Sequence, residues 1–87
     1  MDDHHTDRRF ERRENGKVTW ADYELKDGIL SLLHVEADPS LRGTGAAGRL
    51  MEDIATHARE RSLKIHPVCT YAAAWLKKHR EHADLLE

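Results

Sequence analysis

Only one cysteine, Cys69, occurs in the 87 residues, so no internal disulfide framework holds this chain together. A free thiol of this kind leads us to expect a cytoplasmic setting. No apolar run approaches the roughly 18 residues that a membrane-spanning helix needs. The first residues, Met1-Asp2-Asp3-His4-His5, have neither the basic nor the apolar region of a secretory leader. An excess of one charge is missing too. Fourteen Lys and Arg stand against 16 Asp and Glu, a formal net charge of -2, which gives no electrostatic footprint for nucleic acid. Internal repeats and low-complexity tracts are absent. What remains is 39% hydrophobic and 34% charged residues, a modest core under a well-solvated surface. The expectation is one small domain over residues 8–87 behind a loose polar segment at 1–7.

Periodicity and turn chemistry order the elements. Arg8–Glu14 reads as a charged first strand, and Asn15-Gly16 as a hairpin turn. Lys17 to Leu25 follows, with Thr19, Ala21, Tyr23 and Leu25 alternating against mostly polar neighbours. Asp27-Gly28 is a second hairpin signal. Ile29 to Glu36 is almost continuously apolar, the pattern of a central strand covered on both faces, and Asp38-Pro39 ends it. A helix is expected from Gly45 to Arg61. Its inward stripe is Ala47, Leu50, Met51, Ile54, Ala55 and Ala58. Arg49, Glu52, Asp53, His57 and Glu60 fall on the opposite side. Leu63 to Cys69 reads as a fourth strand, and Pro67 marks an edge or bulge position. Thr70 is a candidate N-cap for a second helix to about Arg80, with Ala72, Trp75, Leu76 and His79 inward. The resulting α+β fold is a three-stranded antiparallel meander, a helix, a fourth strand parallel to the third, and a C-terminal helix.

The segment Leu41-Arg42-Gly43-Thr44-Gly45-Ala46-Ala47-Gly48 carries the most information about function. Glycines let the backbone approach a ligand, and the helix behind them presents open N–H groups and a positive dipole end. Such a site holds a phosphate or pyrophosphate, and Arg42 adds a forked cation. A Walker A loop is excluded because no Lys follows Gly48. Gly43, Gly45 and Gly48 match the Rossmann spacing, but the strand after the helix ends without the acidic residue that a dinucleotide fold requires.

This order of elements around Arg42-Gly43-Thr44-Gly45-Ala46-Ala47 resembles the GNAT acetyltransferase superfamily, whose loop is Arg/Gln-x-x-Gly-x-Gly/Ala. Arg42, Gly45 and Ala47 stand at the defining positions. The chain is similar in particular to the minimal single-domain members. Those carry His-x-Glu, a proline, Leu-Arg-Gly-x-Gly, and Pro-x-Cys with an aromatic two residues on before an Ala-rich helix; here these are His34-Val35-Glu36, Pro39, Leu41-Arg42-Gly43-Thr44-Gly45, Pro67-Val68-Cys69 and Tyr71-Ala72-Ala73-Ala74. The resemblance spans residue 8 to the C-terminus. Two departures are His79-Arg80-Glu81-His82, where the minimal members often have His-Pro-Glu-Tyr, and Thr70, where they often have proline.

The resemblance implies an N-acetyltransferase that uses acetyl-CoA and an amine acceptor, which the sequence does not name. Arg42, Gly43, Thr44, Gly45, Ala46, Ala47 and Gly48 would hold the pyrophosphate. Val35 and Glu36 would border the pantetheine, where the third and fourth strands splay, and Tyr71 would flank the cofactor as a second candidate donor. His34 and Glu36 share one strand face. Either is a candidate base, His34 being better matched to neutral pH. Cys69 is a candidate proton source for the leaving thiolate or an acetyl-accepting nucleophile.

Plainer roles stand beside each of these. Cys69 also reads as a small buried hydrophobe, and Glu36 as a partner of Arg42 that shapes the loop. Trp75 reads as core, and Lys77 and Lys78 as a solvated face. His79 and His82 have a spacing that could seat a metal but lack a clear third ligand. The Arg8-Arg9 and Arg12-Arg13 pairs alternate with acids on an edge strand, which disfavours a nucleic-acid-binding reading. A CoA-binding module with little turnover is the main alternative function.

Overall fold

A computed structural model of the chain describes residues 8–87 and the backbone of Asp2–Asp3. The expectation of a loose segment at the other residues of 1–7 lies outside the described residues. In chain order the elements are β1 (Asp2–Asp3), β2 (Arg8–Glu14), β3 (Lys17–Lys26), β4 (Ile29–Ala37), a 3-10 turn (Pro39–Leu41), α1 (Ala46–Glu60), β5 (Lys64–Pro67), α2 (Thr70–Lys78) and a 3-10 segment (Arg80–Leu85). The strands lie in one sheet in the order β1-β2-β3-β4-β5. Pairing is antiparallel up to β4 and parallel between β4 and β5. This is the α+β arrangement expected from the sequence. Both hairpin turns hold two residues in the left-handed region, Asn15 and Gly16 at φ 52° and 74° and Asp27 and Gly28 at 53° and 78°. Those values match the right-handed twist of the strands they join.

The core is a single cluster. Phe10, Ala21, Tyr23, Leu30, Leu32 and Ile65 enter it from the sheet, Leu50, Met51, Ile54, Ala55 and Ala58 from α1, and Ala72, Trp75 and Leu76 from α2. Both helices therefore cover the same sheet face. This corrects the reading of β4 as a strand buried on two sides: Leu30 and Leu32 are fully buried, but Leu33 is 39% exposed and His34 is open to solvent. No helix among the described residues is long and apolar enough to cross a membrane.

Smaller corrections follow from where each helix starts. Gly45 is the N-cap of α1, and its buried stripe is Ala46, Leu50, Met51, Ile54, Ala55 and Ala58; Ala46 takes the place expected for Ala47, which is only half-buried. His57, expected outward, is half-buried with its ring edge-on to Phe10 at 5.2 Å. Leu25, at the turn end of β3, is exposed rather than inward. Cys69, not Thr70, is the N-cap of α2, in an extended conformation and without a side-chain capping bond. That helix stops at Lys78, short of the expected Arg80.

One irregularity decides which side chains reach the open face. Asp22 pairs with His34 and Tyr23 with Leu32, so Leu33 is an extra residue in β4. A bulge of this kind reverses the inward–outward alternation beyond it. Without it, His34 and Glu36 would follow Leu30 and Leu32 into the core. With it, they pair with Asp22 and Trp20 on the open face, and Val35 and Ala37 pair with the buried Ala21 and Thr19.

Candidate functional site

β4 and β5 stay together only as far as Leu32 and Pro67. Beyond that point the N–H groups of both Val68 and Cys69 donate to the Leu32 carbonyl, at 2.9 Å each. The ladder ends there, and Leu33–Ala37 runs on with no strand paired to it on the β5 side. A strand edge of this kind offers backbone groups to an extended ligand.

The loop beyond β4 is held by its own short bonds. Asp38 caps the 3-10 turn, accepting from the Ser40 amide at 2.9 Å and the Ser40 hydroxyl at 2.7 Å. Those bonds hold the Asp38 carboxyl below its ordinary value. Thr44 turns its hydroxyl back onto the Leu41 carbonyl. Gly43 and Gly45 sit at φ 79° and 88°, a backbone that a side chain would strain. The first backbone bond into α1 is Arg49 N–H to the Gly45 carbonyl, at 3.0 Å. The first turn of α1 contains no acidic residue. Its leading N–H groups therefore remain for an anion.

These elements enclose a pocket of about 260 Å³ lined by Ala37, Leu41, Arg42, Gly43, Gly45, Ala46, Ala47, Gly48 and Tyr71. Most of the residues expected to hold a cofactor thus border one cavity. Thr44 is not on its wall, because its hydroxyl faces the turn. Val35 packs against the core cluster instead, and Ala37, two residues further along the same strand face, lines the pocket. Burial and the neighbouring Cys69 push the Tyr71 phenol above its ordinary value, so at neutral pH it is a hydrogen-bond donor.

On the open face, His34 Nε2 lies 2.8 Å from Glu36 Oε1. Arg42 donates to the other carboxylate oxygen at 3.0 Å. One carboxylate therefore links the candidate base to the loop. The Arg42 pairing expected as the plain reading of Glu36 is present, and it coexists with the contact to His34. Cys69 is half-buried and packs against the core cluster, as Val35 does. It lies across β4 from the face that carries His34, and no hydrogen bond among the described residues joins the two.

The sequence reading missed Arg49. Its guanidinium bonds Glu14 at 2.8 and 3.1 Å and the Thr44 carbonyl at 3.0 Å, tying the loop to β2. These bonds from Arg49, and one from Arg12, hold the Glu14 carboxyl below its ordinary value. The signal was available in part, since Arg49 lies one helical turn after Gly45.

His79 and His82 stack on Trp75, with ring centroids 3.9 Å and 5.7 Å away. Glu52 and Glu81 bring ligand atoms within 4.8 Å of His82. However, Arg59 Nη2 approaches Nδ1 of His82 at 3.2 Å, and Nε2 contacts Glu52 at 2.9 Å. A guanidinium only donates, so Nδ1 accepts and Nε2 carries the proton, which leaves no lone pair there for a metal. The basic residues of β2 are largely paired: Arg9 with Asp22, Arg12 with Glu14 and Asp53, and Arg13 with Glu11.

Comparison with known proteins agrees with this geometry. The pattern of the GCN5-related N-acetyl-transferase family matches residues 9–85, and the chain belongs to that family. A solution structure of a GCN5-like candidate N-acetyltransferase from Staphylococcus aureus superposes with a TM-score of 0.71 at 21% identity, covering 90% of this chain and 87% of that one. At that identity the likeness is one of fold. No curated protein matches the chain.

Proposed function

We propose that this protein is an acetyl-CoA-dependent N-acetyltransferase acting on an amine. The observation that carries the reading is the pocket at the start of α1, where Arg42, Gly43, Gly45, Ala46, Ala47 and Gly48 surround a cavity at an acid-free helix N-terminus. That combination suits the pyrophosphate of CoA. The bare edge of Leu33–Ala37 leads away from it and suits the pantetheine amides.

The chemistry then falls to the residues around the bulge. The amine nitrogen forms a bond to the acetyl carbonyl carbon, the C–S bond breaks, and the amine loses a proton. His34 takes that proton. A carboxylate only accepts, so its Nε2–H donates to Glu36 and Nδ1 keeps the lone pair. The thiolate leaves toward Cys69 or Tyr71, either of which supplies its proton. Cys69 and His34 lie on different faces of β4, and this supports direct transfer over an acetyl-cysteine intermediate that would need the two in contact.

The test is release of free thiol from acetyl-CoA over a panel of amines, in the native chain and in Cys69→Ala. Amine-dependent release that falls in Cys69→Ala, with CoA binding retained, supports the assignment. Unchanged turnover removes Cys69 from the mechanism. Binding without amine-dependent release favours the second reading, a CoA-binding module. The exposure of His34 and Glu36 on an uncovered sheet face is the observation behind that reading.

A further inference from the structure

The length of the cofactor's arm sets where its acyl group lies. About a dozen bonds separate the phosphate-bearing oxygen of pantetheine from its sulfur, as many as in four residues of extended chain, which span roughly 13 Å. Ala37 lines the pocket at the start of α1. Four residues back along the bare edge stands Leu33, the extra residue of the β4 bulge. The thioester of a cofactor laid along this edge therefore arrives beside Leu33. Val68 and Cys69 stand opposite, since the N–H groups of both donate to the Leu32 carbonyl.

Two directions are closed to an acyl chain at that point. Ahead, β4 and β5 are joined through Leu32 and Pro67. Toward the core, Leu32 is fully buried, and Cys69 and Val35 pack against the core cluster. The way out is the solvent side, and it is apolar: Leu33 is 39% exposed and Val68 53%. Among the described residues, the exposed large hydrophobics are these two, the pocket residue Tyr71, and Leu25 at the turn end of β3. A single exposed leucine is ordinary. Here the exposed apolar side chains gather at the end of the strand edge, and neither Leu33 nor Val68 packs against the core cluster, so the fold does not account for them.

We infer that Leu33 and Val68 are the walls of an acyl-binding mouth, and that the donors this protein takes include CoA thioesters of straight acyl chains of four to six carbons. This rests on the reading of the pocket and the bare edge as a CoA site. An acetyl group has one methyl to place in the mouth. A longer chain lays its methylenes along both side chains and takes them out of water. The reaction is otherwise the same. The amine nitrogen bonds the acyl carbonyl carbon, the C–S bond breaks, and His34 takes the amine proton. The sulfur leaves with the electron pair and receives a proton from Cys69 or Tyr71.

Calorimetric titration of the full chain with CoA, acetyl-CoA, butyryl-CoA and hexanoyl-CoA tests this without an acceptor. Full burial of a methylene is worth about fourfold in affinity, and half-exposed walls about twofold. Hexanoyl-CoA, with four more methylenes than acetyl-CoA, should then bind on the order of tenfold tighter, with butyryl-CoA between them. Leu33→Ser and Val68→Ser should each reduce that ratio, and the double variant should bring it near one. Both positions are exposed, so the melting temperature should stay close to native. Leu25→Ser, which removes an exposed leucine elsewhere, should leave the ratio as it is. If CoA and acetyl-CoA bind but hexanoyl-CoA binds no tighter, or its advantage survives in the double variant, the mouth is refuted while the cofactor reading stands. If none of the CoA compounds binds, both fall.

Discussion

The 2.8 Å contact between His34 Nε2 and Glu36 Oε1 fixes which imidazole nitrogen is free. Glu36 can only accept, so Nε2 carries the proton and Nδ1 the lone pair. The Leu33 bulge brings both side chains to the open face. His34→Gln should therefore lower amine-dependent acetyl transfer by about a hundredfold or more, the usual contribution of a general base. CoA affinity should change little, because His34 does not line the pocket. Steady-state rates together with binding isotherms check this. A matching loss of CoA affinity would mean that His34 shapes the loop instead.

Gly45 tests the loop. It has φ 88°, and a side-chain carbon there would lie 3.2 Å from Arg49 Nη1. Gly45→Ala pays only that local strain, about 1–2 kcal/mol. Gly45→Glu adds a carboxylate where the phosphate is expected. The alanine variant should keep measurable CoA binding, and the glutamate variant should lose it with a similar melting temperature. Equal binding by both would break the phosphate assignment.

Thr19 is fully buried, and its hydroxyl has no hydrogen-bond partner among the described residues. Valine has nearly the same shape without the stranded oxygen. Thr19→Val should stabilise the domain by about 1 kcal/mol, a rise of roughly 4–8 °C in melting temperature for a domain of this size. A fall would show that the hydroxyl has a partner in solution.

His57 gives a pH signature. Burial against Phe10, and next the charge of Arg61, lower its pKa from the ordinary 6.5. The unfolded chain then binds this proton more readily than the folded one. The stability tied to neutral His57 is complete above pH 6.5 and is lost as the pH falls through the lowered folded value. Denaturant unfolding above and below pH 6.5 should show a smaller acid loss in His57→Gln than in the native chain. Equal losses would exclude His57 as the source.

Much of this was legible in the sequence. Asn15-Gly16 and Asp27-Gly28 named their turns because few residue pairs tolerate two left-handed conformations in succession. The α1 stripe named its helix because a 3.6-residue period has one apolar solution. The loop residues Arg42 to Gly48 were legible by resemblance, and all of them but Thr44 converge on one pocket. Other features depended on three-dimensional placement. An apolar run such as Ile29 to Val35 reads alike whether one face or two are covered. The Leu33 bulge leaves no mark in composition, yet it decides that His34 faces solvent.

Calorimetric titration of the native chain with acetyl-CoA and CoA, with ATP and NAD as controls, tests the central claim most directly. The account predicts saturable one-site binding to the two CoA compounds and none to the controls. Absence of CoA binding, or equal binding of ATP and NAD, would contradict it.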